Sequence, residues 1–253
     1  MKMNGQMLAS GMNFKKPKES FLLNNNKILA IIPARSGSKR LQNKNLMNFC
    51  DKPLVSYSFI AANKSKYIDS TIISSDSNKI IQIAEEYDVK APFIRPKKLS
   101  EDKTAMFPVI KHAIENIDES FDLVVLLQPT SPLRTADDID NALQKFTKHN
   151  AKALISVNKV DHPIEWIISQ KNNIPLGSYA KNFNSDKRSQ DYKDSFILNG
   201  AIFISRIDEL LSKKTFFTEE TIIFSMKKSH SIDIDNEDDF RLAEYYMKSE
   251  INK

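Results

Sequence analysis

The run Ile28-Leu29-Ala30-Ile31-Ile32 is apolar at every position and empties at once into the polar loop 33–45. A strand with no polar face belongs inside a parallel sheet covered on both sides, so this one segment already points to an α/β fold. The text that follows repeats the logic. A helix is expected from about Pro53, with Leu54, Tyr57, Ser58 and Ala61 on one side. Strands are expected over 70–74, 90–94, 122–127 and 153–157, and helices over 78–87, 104–116 and 137–148, the second of these with Val109, Ile110 and Ala113 as its buried stripe. Alternation of this kind predicts a mostly parallel, Rossmann-like α/β sheet with helices on both faces. Residues 158–195 break the rhythm, being polar and irregular. A strand then resumes over 197–204, and a strand-like stretch, 231–234, leads into a last helix over 237–248.

The chain has 253 residues, enough for one α/β domain with a single core. With 41% hydrophobic and 27% charged residues it has the composition of an ordinary globular protein. Its net charge of +5 suits an anionic ligand such as a nucleoside triphosphate, or reflects only a solvated lysine face. No basic cluster is dense enough for a nucleic-acid arm, which argues against a nucleic-acid partner. A single cysteine, Cys50, excludes an intrachain disulfide framework and fits a reducing compartment. No apolar run approaches a membrane span, and the stretch around Met7 to Met12 is too short and polar for a signal-peptide core. The expectation is a cytoplasmic protein without a membrane partner. Residues 1–27, rich in Lys, Asn and Ser and ending in Asn24-Asn25-Asn26, are expected to be a disordered extension ahead of a domain over 28–253.

Three segments carry residue types suited to chemistry. Pro33-Ala34-Arg35-Ser36-Gly37-Ser38-Lys39-Arg40, with Lys44-Asn45 beyond it, follows the first strand at the carboxyl edge where open α/β sheets bind ligands. Gly37 and the serines let backbone N–H groups turn toward a phosphate chain that Arg35, Lys39 and Lys44 can neutralise. The spacing is neither that of a Walker A loop nor G-x-G-x-x-G, and a solvated basic loop is the alternative. Leu127-Gln128-Pro129-Thr130-Ser131-Pro132-Leu133-Arg134 ends a buried strand at the same edge. Its Gln128 can read a base or sugar through its amide, or the segment is only a rigid turn. Within Ser231-Ile232-Asp233-Ile234-Asp235, strand geometry would put both carboxylates on one face, with Ile232 and Ile234 facing the core. Such a pair suits Mg²⁺ that also contacts triphosphate oxygens; Asp235 can equally cap the final helix, with Asp238 three residues on. Asp76, Arg95-Pro96, His162 and Trp166 are weaker candidates, each with a turn, loop or surface role as its plainer explanation.

Taken in order, these segments, Arg95-Pro96 and Asn199-Gly200-Ala201-Ile202-Phe203 resemble the acylneuraminate cytidylyltransferase family from about residue 28 to the end. The resemblance implies a nucleotide-diphospho-sugar transferase fold and a homodimer whose extended arm, expected within 158–195, reaches over the partner's active site. It implies that Arg35, Ser38, Lys44 and Asn45 hold the CTP phosphates, that Gln128 contacts the nucleotide, and that Asp233 and Asp235 bind Mg²⁺. Arg35, Lys44 and Asp235 would then be the catalytic set. Arg188 and Gln190 would face the sugar acid near the dimer interface, and Lys39, Arg95, Asn199 and Phe203 complete the expected substrate contacts. Phe203 stands where a Tyr is common in the family. The implied reaction moves CMP from CTP to the anomeric hydroxyl of a nine-carbon 2-keto sugar acid and expels pyrophosphate.

The particular sugar is left open. His162-Pro163 is followed by Ile164 and Glu165 where sialate-type members commonly carry a basic residue. Arg188-Ser189-Gln190-Asp191 resembles pseudaminate-type enzymes, whereas Asn199-Gly200-Ala201-Ile202 is similar to sialate or legionaminate types. A 3-deoxy-manno-octulosonate cytidylyltransferase is the nearest rival, but Gln42-Asn43-Lys44-Asn45 after the phosphate loop favours the nine-carbon branch. A non-catalytic nucleotide-binding regulator of the same fold would be expected to lack Lys44 or the Asp233/Asp235 pair, and all three are present.

Overall fold

A computed structural model describes residues 23, 25–168 and 187–251. The strands are β1 (Ile28–Pro33), β2 (Asn48–Phe49), β3 (Lys52–Pro53), β4 (Ser70–Ser74), β5 (Leu123–Leu126), β6 (Ala153–Lys159), β7 (Phe196–Arg206) and β8 (Thr221–Met226). The helices are α1 (Leu54–Lys64), α2 (Asn78–Glu86), α3 (Met106–Glu115), α4 (Ala136–Lys148), α5 (Ile207–Lys213) and α6 (Glu237–Ile251). Six strands form one sheet in the order β4-β1-β5-β7-β6-β8, and β2 and β3 form a small separate hairpin. β1 lies parallel to β4 and β5, and β6 parallel to β8, whereas β7 runs antiparallel to β5 and β6. The expected mostly parallel sheet is therefore present, with β7 as its reversed member.

The uninterrupted apolar text of β1 is explained by its central place. Ile28, Ala30 and Ile32 pack on one face with Val55 and Phe59 of α1, Ile80 of α2 and Leu143 of α4. Leu29 and Ile31 pack on the other with Ile110 of α3 and Leu210 of α5. Each Ile buried in this way contributes about 1.5–3 kcal/mol relative to exposure. A third cluster, Phe49, Leu54, Leu133, Ile234 and Phe240, fastens α6 and the segment before it to the site end of the sheet.

Two expectations need correction. Residues 90–94 form no strand; a single bridge joins Lys90 to Ile72. Pro92 has no N–H to give a ladder, and Ile94 is exposed. Residues 231–234 are also not a strand, but an irregular segment after a 3-10 turn, Lys228–His230. The sixth strand of the sheet is instead β8, which the sequence reading did not place, and α5 was missed with it. The expected extension 1–27 falls largely outside the described residues. So does the middle of the expected arm: its described ends, 158–168 and 187–195, connect the paired strands β6 and β7.

Candidate active site

The carboxyl ends of β1 and β5 open into a cleft of about 260 Å³, lined among others by Arg35, Ser38, Lys44, Asn45, Arg95 and Gln128. The backbone N–H of Ala34 still bonds the Ser74 carbonyl at 2.9 Å, so the sheet ladder fixes the point where the phosphate loop begins. Asp76, just past β4, then accepts from both the N–H and the hydroxyl of Ser36 at 2.8 Å. Asn45 is buried and donates its amide to the Arg35 carbonyl at 3.0 Å, and the Ser38 hydroxyl accepts from the Lys44 N–H at 3.2 Å. Asn45 and Ser38 thus shape the loop from inside.

The cations of the cleft differ in what they meet. Lys44 is 12% exposed and reaches across the site to donate to the Ile234 carbonyl, with the Asp235 carboxylate at 3.4 Å. Arg40 pairs with the other Asp235 oxygen at 2.7 Å. Arg35 and Lys39 both pair with Asp102, at 2.5 and 2.6 Å. Arg95 is buried and bonds the Ser100 hydroxyl through Nε at 3.1 Å; its Nη2 stands 3.9 Å from Asp76 Oδ1 and, among the described residues, has no hydrogen-bond partner. Burial lowers its pKa, the neighbouring Asp76 opposes that shift, and Arg35 adds to it. A buried guanidinium with a free N–H on a cleft is prepared for an anion.

The segment carrying the carboxylates is pinned from several sides. The Ile234 N–H donates to the Thr130 carbonyl at 2.8 Å. The Ser231 hydroxyl accepts from the Asn199 amide at 2.9 Å. His230 Nδ1 lies 2.8 Å from Asp138 at the start of α4. Ile234 is fully buried while Asp233 stands exposed, so the in–out alternation expected of a strand is achieved without one. Asp235 does not cap α6. Asn236 does, accepting from the Asp239 N–H at 3.0 Å, while Asp239 accepts from the N–H groups of Asn236 and Asp235. The Asp235 carboxylate is left to the cleft cations.

Gly200 brings the two halves of the site into contact. Its φ is +69°, and a Cβ there would lie 3.1 Å from Gln128 Oε1 and 3.5 Å from Asp233 Oδ2. Local desolvation pushes the Asp233 pKa up. The Thr130 hydroxyl, near but outside hydrogen-bonding geometry, and Lys44 lower it, while Asp235 raises it further. A cation beside Asp233 would relieve that penalty. Among the described residues no three metal-ligating side chains cluster, but two carboxylates are what Mg²⁺ takes from a protein when phosphates and water supply the rest. Asp233 and Asp235 fit that requirement.

Not every candidate lines the cleft: Lys39 and Asp235 reach it through their pairs with Asp102 and Lys44, and Asp233 stands beside the lining near Gln128 across Gly200. Asn199 is buried, with its amide committed to Ser156, Ser231 and the Ala201 N–H. Phe203 is buried against Phe216 and does not line the cleft. Arg188 and Gln190 are exposed around the short turn Ser189–Asp191 and also lie outside it. His162 stacks on Trp166 with ring centroids 6.0 Å apart, and Trp166 meets Tyr192 edge-on. Sequence reasoning gave Arg134 no role. It is a buried cation that donates to the carbonyls of Gln128 and Ala201 at 3.2 and 3.0 Å and to the Ser58 hydroxyl at 2.7 Å. Burial brings its pKa down to about 10, against the pull of Asp138, so it remains charged at neutral pH. Its position at the end of the Gln128 turn was the available signal.

A basic loop and a glutamine turn at the carboxyl edge of the sheet, with a carboxylate pair beside them, suit a nucleotidyltransferase. Among solved structures, CMP:2-keto-3-deoxy-manno-octonic acid synthetase complexed with CTP shares the fold, with a TM-score of 0.65 at 15% identity over 89% of this chain and 100% of that one. 4-Diphosphocytidyl-2C-methyl-D-erythritol synthase from Anaerococcus prevotii does so with a TM-score of 0.63 at 15% identity, over 89% and 97%. Residues 29–250 match the family model described as cytidylyltransferase, and the chain belongs to that family. Relatives include an N-acylneuraminate cytidylyltransferase of Escherichia coli, 37% identical over 86% of this chain and 51% of that protein. A pseudaminic acid cytidylyltransferase of Campylobacter jejuni is 33% identical over 88% and 97%. A CMP-N,N'-diacetyllegionaminic acid synthase of Legionella pneumophila is 32% identical over 88% and 97%. The chain thus spans about half the length of the first relative and nearly all of the other two. Among the described residues no helix is long and apolar enough to cross a membrane.

Proposed function

We propose that this protein transfers CMP from CTP to the anomeric hydroxyl of a nine-carbon 2-keto sugar acid. The hydroxyl oxygen bonds to the α-phosphorus, the bond to the β-phosphate oxygen breaks, and pyrophosphate and a proton are released. The observation that carries this reading is the meeting of Lys44 with Asp235, 191 residues apart in sequence, at the mouth of a cleft beside Gln128. A phosphate loop and a carboxylate pair held together in this way suit in-line transfer at phosphorus, where positioning and charge neutralisation carry most of the catalysis. Arg35, Lys39, Lys44 and Arg95 neutralise the phosphates, Ser38 and Asn45 hold the loop, and Gln128 faces the nucleotide. Asp233 and Asp235 hold Mg²⁺, which supplies charge stabilisation on the phosphates when bound.

The working form is a homodimer. Ile164 and Ile167, in the described segment after β6, and Phe196, Ile197 and Leu198, at the start of β7, are exposed apolar residues. Apolar surface of this kind suits a protein partner. Arg188 and Gln190, outside their own cleft, would then serve the partner's sugar site.

The test is pyrophosphate release from CTP with Mg²⁺, offering sialic, legionaminic and pseudaminic acids and 3-deoxy-manno-octulosonate in parallel. Release with one nine-carbon acid supports the reading and names the sugar. Release only with the eight-carbon acid, or with none, overturns it.

A further inference from the structure

We infer that Asp102 is a built-in competitor of the phosphate chain, occupying the Arg35 and Lys39 cations when the cleft is empty and lowering its affinity for polyphosphate. The inference rests on reading Arg35 and Lys39 as phosphate contacts. The two oxygens of Asp102 are divided between the two cations, Oδ1 2.5 Å from Arg35 Nη1 and Oδ2 2.6 Å from Lys39 Nζ. That is the bridging pattern a phosphate offers through two of its oxygens, here made by one carboxylate. The loop bearing Asp102 is fastened to the same groups. The Ser100 carbonyl accepts from Arg35 at 3.4 Å, and the Ser100 hydroxyl accepts from Arg95 Nε. Leu99, Glu101, Asp102 and Thr104 of this loop line the cleft directly.

A carboxylate bridging two cations must leave, or share them, when a more highly charged chain arrives. Asp102 is about a third exposed, and Lys39 is 81% exposed, so water can replace what each gives up. The exchange is therefore reversible, and each exposed ion pair lost is modest in energy. The nearby Arg95 Nη2, 3.9 Å from Asp76 but without a hydrogen-bond partner among the described residues, can still donate to the incoming anion. With Asp102 in place, the cations do not attract every stray anion at full strength, and the ligand has to outbid the carboxylate.

The test is calorimetric titration of inorganic tripolyphosphate and, separately, of CTP into the wild-type protein, Asp102→Asn and Asp102→Glu, in metal-free buffer of low ionic strength. Circular dichroism checks that each variant is folded, and Asp102→Ser replaces the Asn variant if that one is not. The charge-removing variant is expected to bind both ligands about threefold to tenfold more tightly, with Asp102→Glu close to wild type. Unchanged or weaker tripolyphosphate binding by the charge-removing variant overturns the inference. Tighter tripolyphosphate binding with no CTP binding by any form would leave the inference standing and overturn the cytidylyl-transfer reading instead.

Discussion

A lysine that is 12% exposed and donates to both a backbone carbonyl and a carboxylate has its charge held in one place, and Lys44 holds it where the phosphate loop meets the Asp233–Asp235 segment. Lys44→Ala should lower kcat by roughly 10²–10³-fold, on the scale of losing one preorganised group that meets developing charge. Circular dichroism of that variant should match wild type, because the Ile234 N–H still bonds Thr130. Gly200 is constrained twice, by a φ of +69° and by Gln128 Oε1 standing 3.1 Å from where a Cβ would go. Gly200→Ala should lose about 1–2 kcal/mol of stability in urea unfolding. It should also raise the KM for CTP on the order of tenfold by displacing Gln128. These two positions show what a sequence discloses at this scale. Lys44 was legible as a cation after a strand. The demand on Gly200 was not, because it comes from side chains 72 and 33 positions away that only the fold brings near.

At the scale of elements, the segment 230–235 is held to the start of α4 by His230 and Asp138. Hydrogen bonding to Asp138 raises the His230 pKa, against desolvation, while Glu250 raises it and Lys227 lowers it by smaller amounts. For Asp138, burial alone would raise the pKa, but His230 and Thr135, the N-cap of α4 whose N–H and hydroxyl both donate to Asp138, together bring it below the usual value. The raised His230 pKa means its contribution is complete below the unfolded value of about 6.5 and is lost as pH rises through the folded value. The depressed Asp138 pKa means its share is present above the unfolded carboxylate value and is lost as pH falls through the folded one. Between those limits the tie is strongest. His230→Phe should therefore cost about 1–2 kcal/mol in urea unfolding near pH 6, and clearly less near pH 9. An equal cost at both pH values would mean that the charge on His230 contributes nothing. Elements of this sheet were legible where burial on both faces removed every polar residue, as in β1 and β5. Residues 90–94 misled because a short β-rich run contains Pro92, and 231–234 because a period of two arose from a pinned loop. β8 went unplaced because its exposed outer positions blur the pattern of a buried strand.

For the whole molecule, the decisive question is whose cleft Arg188 and Gln190 serve. They are exposed and outside the cleft lining of their own chain, on the second half of an excursion that carries exposed Ile164 and Ile167 in its first half and runs into exposed Phe196, Ile197 and Leu198 of β7. Leu198→Asp, which puts a charge on that surface, should sediment at the 28.9 kDa of one chain, where wild type is expected at twice that mass. Exchange between clefts can be read more directly by mixing two inactive variants. Lys44→Ala spoils a cleft, and Arg188→Ala spoils an arm. If each arm completes the partner's cleft, a mixed dimer joins both defects in one site and leaves the other site whole. Equal amounts, allowed to exchange subunits, give mixed dimers in half the population with one working site of two, so about a quarter of wild-type pyrophosphate release should return. If Arg188 instead serves its own chain, every site in every dimer carries one defect and no activity returns. The cleft geometry is the same in both cases, so the mixture isolates the arm's contribution from the chemistry of the site it covers.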